Sequence, residues 1–189
     1  MNSKPMLTIS ALGIILALSS CKKDKEDDTP PANEEELITT LELHFHSVGG
    51  SEHKHFTFRD LDGDGGNAPV IIADTLSADS IYDVEIEVLN ESGTPTVDIT
   101  AEIVDEGTVH QFFFQPSNAN VTVAYSDADA NGKPIGVNTL WTIGAIGNGT
   151  VVVTLRHEPD KNAAGVSGGD ITNAGGETDI EVSFPVVIE

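Results

Sequence analysis

A single cysteine, Cys21, is the only thiol in the 189 residues. A disulfide within the chain is therefore excluded, and residues 22–189 hold no thiolate metal site and no cysteine nucleophile. Positive charge is scarce as well. Nine Lys and Arg stand against 31 Asp and Glu, giving a formal net charge of −22. Such a surface repels nucleic-acid phosphates and anionic lipid head groups, and it attracts cations. Beyond the first two dozen residues no apolar run approaches the length of a membrane span. Also missing are a phosphate-cradling glycine loop between strand and helix, a serine nucleophile elbow and a repeat of fixed period. No nucleotide site and no serine hydrolase are expected, and the sequence reads as non-enzymatic.

What is present begins with Lys4 and an apolar run over residues 7–18, broken only by Thr8, Ser10 and Gly13. The run is too short for a permanent span and fits the apolar core of a signal peptide. It ends in Leu18-Ser19-Ser20-Cys21, which resembles a bacterial lipobox. That resemblance implies removal of residues 1–20 and lipidation of Cys21, which becomes the only membrane anchor. Residues 21–36 follow with Lys22-Lys23-Asp24-Lys25-Glu26-Asp27-Asp28, Pro30-Pro31 and Glu34-Glu35-Glu36. Charge and proline without large apolar residues predict a disordered tether. The acidic run behind the cysteine resembles the surface-export signal of Bacteroidota lipoproteins. It implies an outer-membrane, cell-surface location, with a periplasm-facing anchor as the alternative.

From Leu37 to Glu189 the pattern is period two, with no sustained helical period. Leu41, Leu43 and Phe45 alternate with Glu42, His44 and His46. Tyr82, Val84, Ile86 and Val88 alternate with Asp83, Glu85 and Glu87, and Val97, Ile99, Ala101 and Ile103 with Asp98, Thr100 and Glu102. Phe112 and Phe114 share a face, as do Val151, Val153 and Leu155, and Ile180, Val182 and Phe184. Clusters of Gly, Asn, Asp and Pro punctuate these runs. The expectation is one all-β domain over 37–189, an antiparallel β-sandwich of immunoglobulin-like general shape.

One hairpin concentrates chemistry. Gly49-Gly50 reads as a two-residue turn. Pairing across it sets His46 against His53, His44 against His55, Leu43 against Phe56 and Leu41 against Phe58. A slip of one residue would turn every side chain to the other face, so the matching apolar partners support this register. Opposed Cβ atoms lie about 4.5–5.5 Å apart. His44, His46, His53 and His55 would share one polar patch able to hold a transition metal, zinc or copper by preference. The alternative is four solvated histidines. His110 and His157 fall at strand ends and are read as structural histidines bonded to loops.

Two acidic loops resemble the first half of a calcium-binding loop, with oxygen ligands at alternating positions and glycine at the sixth. One contains Asp60, Asp62 and Asp64, the other Asp127, Asp129 and Asn131. Their twelfth positions are Ile71 and Asn138 rather than a bidentate Glu, so an EF-hand is excluded. A weaker calcium site between strands is the expectation, against ordinary turn chemistry. The glycine-rich stretch 163–179 reads as a shaped surface loop.

The segments 35–40, 59–67, Asn90-Glu91, His110-Gln111-Phe112-Phe113, 127–136, Leu155-Arg156-His157 with Pro159 and Lys161, and 168–179 together resemble a family of Bacteroidota outer-membrane lipoproteins. Some members carry the label "type 1 periplasmic binding domain-containing". That label names an α/β fold, whereas the alternation here implies all-β. The resemblance carries no activity and does not include the histidine hairpin. Two expectations remain. One is a non-catalytic module that binds a transition metal, serving an outer-membrane transporter or another surface partner. The other is a structural or adhesive surface module stabilised by calcium.

Overall fold

Ten strands, one short α-helix and two 3₁₀ turns (Val166–Gly168 and Ile171–Asn173) account for the regular structure of a computed structural model that describes residues 37–63 and 65–189. The expected signal peptide, the lipidated Cys21, the tether and Asp64 lie outside the described residues. The strands are β1 (Thr40–Ser47), β2 (His53–Arg59), β3 (Val70–Ala73), β4 (Ile81–Asn90), β5 (Val97–Asp98), β6 (His110–Ser117), β7 (Val121–Tyr125), β8 (Asn138–Ile143), β9 (Gly147–His157) and β10 (Glu177–Ile188). The helix α1 spans Thr100–Asp105.

The strands form two antiparallel sheets. The larger has the order β3-β2-β1-β4-β8-β7, with β5 paired to the end of β4, and the smaller has the order β10-β9-β6. The expected all-β sandwich is the observed one, and alternation explains it. Leu41, Leu43, Phe45, Val84, Ile86 and Trp141 turn inward from the large sheet, Phe112, Val153, Leu155 and Phe184 from the small one, and all are buried. Aromatic rings lock the layers together. Phe114 of β6 lies 5.7 Å from Trp141 of β8, and Phe56 of β2 lies 5.6 Å from Phe184 of β10. Such pairs add about 0.5–1.5 kcal/mol beyond the area they bury.

The segment 97–103 corrects the sequence reading. Its alternation predicts a strand, but only Val97 and Asp98 pair, with Asn90 and Leu89. A carboxylate oxygen of Asp98 then accepts the Thr100 N–H, and Thr100 Oγ1 accepts from the Val88 N–H. Helix α1 starts there, with Ile99 and Ile103 buried while Val97 stays half exposed. Residues four apart share a helix face, so the same apolar spacing serves both conformations.

Two further features matter below. The segment 163–176 covers the outer face of the small sheet, where Phe113 packs against Val166 and Ala174 in a second cluster. The short edge strand β3 leaves Val70, Ile71 and Ile72 exposed.

Candidate metal centre on the outer face of the large sheet

The β1–β2 ladder pairs His44 with His55, His46 with His53, Leu43 with Phe56 and Leu41 with Phe58. This is the register expected from the sequence. The turn differs. The Gly50 N–H donates to the Ser47 carbonyl, the Ser47 N–H to the Glu52 carbonyl, and the Val48 N–H reaches Ile81 of β4. Gly49 has φ +76°, but Gly50 does not adopt a positive φ. A two-residue type I′ turn requires it at both positions, so the connection is wider.

Because Leu43 and Phe45 face the core, His44 and His46 face outward. The His44 and His55 Nδ1 atoms lie 3.0 Å apart, and those of His46 and His53 lie 2.8 Å apart. In each neutral pair one nitrogen donates and the other accepts. The rings meet edge to face, with centroids 5.0 and 4.8 Å apart. A metal at about 2.0–2.1 Å from two such nitrogens would be held with an angle of about 90°, which a small ring rotation opens to the tetrahedral value.

The acids come from β1 and β4. Glu42 pairs with Glu87, His44 with Glu85 and His46 with Asp83. His44 Nε2 lies 3.2 Å from Glu87 Oε2 and 3.5 Å from Glu42 Oε2. Glu42, His44 and Glu87 thus offer ligand atoms all within 4.8 Å of one another. Like charges directly opposed across a ladder repel, and a cation between Glu42 and Glu87 removes that repulsion. The sequence reading missed these carboxylates because β4 joins β1 only through the sheet order. The alternating Asp83, Glu85 and Glu87 was the available signal.

The calcium candidates have different neighbours. In the first loop Asp60 accepts the Gly63 N–H, and Asp62 accepts the Asn67 backbone and side-chain N–H groups. These bonds hold the Asp62 carboxyl below its usual range. In the second loop Asp127 accepts the Gly136 and Asn138 N–H groups, and Asp129 accepts those of Asn131 and Lys133. The Asn131 side chain makes no described bond into the loop. The remaining Asp129 oxygen lies 3.0 Å from the buried Lys161 Nζ, which also donates to the carbonyls of Gly107 and Pro134. At this loop the resident cation is an ammonium group.

No family model, curated protein or solved structure matches the chain, so the functional reading rests on its own residues.

Proposed function

We propose that this protein is a non-catalytic binding lipoprotein of the outer membrane, lipidated at Cys21 and exposed at the cell surface. It captures zinc or copper on the histidine hairpin, on behalf of an outer-membrane transporter or another surface partner. One observation carries the reading: four outward imidazoles opposed in two pairs, with facing nitrogens 3.0 and 2.8 Å apart. The flanking carboxylates of Glu42, Glu85 and Glu87 and the net charge of −22 support it, since both concentrate cations at this face. Imidazole with carboxylate suits zinc, copper or nickel and disfavours calcium.

The test is competition of the purified protein against a chromophoric chelator, with zinc and with copper. The wild type should bind at micromolar affinity or tighter, and His44→Ala with His46→Ala should weaken it more than tenfold. Equal affinity in the two proteins would end this reading. Adding calcium to the same samples separates the adhesive-module alternative, which requires a higher Tm with calcium and reversal by chelator.

A further inference from the structure

The inward stripes of β6 and β9 do not end in apolar residues. Two positions beyond Phe112 lies His110, and two beyond Leu155 lies His157, and the histidines pair across the ladder. They are 0% and 9% exposed, with ring centroids 4.7 Å apart. A carboxylate joins them from β10. The register of β10 against β9 shifts between Thr178 and Ile180, so Asp179 is the extra residue of a bulge, and a bulge re-aims a side chain. The Asp179 side chain is fully buried, 3.9 Å from His110 Nε2 through Oδ2 and 3.9 Å from His157 Nδ1 through Oδ1. The three ligand atoms lie within 4.8 Å of one another.

We propose that His110, His157 and Asp179 hold one divalent transition-metal ion, in a buried site independent of the hairpin. The separations exceed hydrogen-bond length. They suit an ion with ligands at about 2.0–2.2 Å, which places neighbouring ligands roughly 3.3–3.5 Å apart, so the three groups draw together by about half an ångström or more to ligate it. The tautomer agrees. His110 Nδ1 lies 3.3 Å from the Glu106 carbonyl; donating there puts the ring lone pair on Nε2, the nitrogen facing Asp179. Histidine ligands are commonly oriented by such a bond. A cleft of about 640 Å³, lined by Asp60, Asp62, Thr178 and Glu181 among others, runs past Asp179, whose carboxylate lies buried beneath it. Two imidazoles with one carboxylate select a borderline ion such as zinc or cobalt over calcium or magnesium.

The test uses the full chain with His44, His46, His53 and His55 all replaced by Ala, so that failure of the hairpin reading cannot mimic failure of this one. Cobalt(II) is the spectroscopic probe and zinc the competitor. One equivalent of cobalt should bind with visible d–d absorption, and zinc should displace it. Asp179→Asn in that background should weaken binding more than ~100-fold, beyond what loss of an outer-shell partner costs. If Asp179→Asn does not fold, ¹⁵N spectra of the histidine rings in the hairpin-free chain decide. Zinc should shift the Nε2 signal of His110 and the Nδ1 signal of His157. Unshifted rings, or no cobalt retained, would overturn the proposal and leave a buried polar cluster that staples three strand ends.

Discussion

Lys161 shows how much one side chain can organise. Its ammonium joins Asp129 to the carbonyls of Gly107 and Pro134, tying the acidic loop to the turn before β6. Burial pulls the Lys161 ammonium below its usual range, and Asp129 acts in the opposite direction. Lys161→Met keeps most of the volume but leaves a carboxylate buried beside two unmatched carbonyls. It should cost about 3–5 kcal/mol, read from urea unfolding. Glu52 sets a pH dependence. Hydrogen bonds from Tyr82 and Lys54 hold its carboxyl below the ordinary range, against an opposing effect of burial. In the unfolded chain it titrates near ~4.3, so there it binds the proton at higher pH than in the fold. Its contribution to stability is therefore complete above that value and is lost as pH falls through the folded pKa. Denaturant unfolding between neutral and acid pH should show this loss, and Glu52→Gln should flatten it.

At the scale of elements, legibility followed local agreement. The hairpin register could be read because both strands carry their apolar residues in matching phase and a glycine pair marks the turn. The pairing of β1 with β4 could not, since it joins strands across an intervening hairpin and leaves no local trace. Helix α1 was hidden because Ile99 and Ile103 fit a strand face and a helix face equally. Two of the three residues of the buried cluster were legible in principle: extending the inward parity of β6 and β9 by two residues lands on His110 and His157. Asp179 was not, because a bulge breaks parity. The covering segment 163–176 makes two predictions. Phe113→Ala empties the small second cluster and should cost about 3–5 kcal/mol by urea unfolding. Gly176 has φ +68°, and a Cβ there would collide with the His157 carbonyl oxygen. Gly176→Ala must displace the end of β9, so a marked fall in Tm is expected.

For the whole molecule, two sheets closed by aromatic contacts leave their chemistry in two separate places. The hairpin site is open to water, and the histidine–aspartate cluster sits at the end of the core. A metal that binds only the folded chain raises Tm with concentration. Zinc titrated into wild type and into the hairpin-free variant should therefore give two separable stabilisations.

The edge at β3 has a consequence for how copies of the protein behave together. Its backbone and its exposed Val70, Ile71 and Ile72 form a short template on which a second chain could pair. At neutral pH the charge of −22 keeps molecules apart, but the sequence pI is about 4.3. Near that pH the mutual repulsion vanishes, and crowded molecules should become colloidally unstable, scattering light more strongly as pH falls toward it. Ile72→Lys, which plants a cation on that edge, should keep acidified suspensions clear.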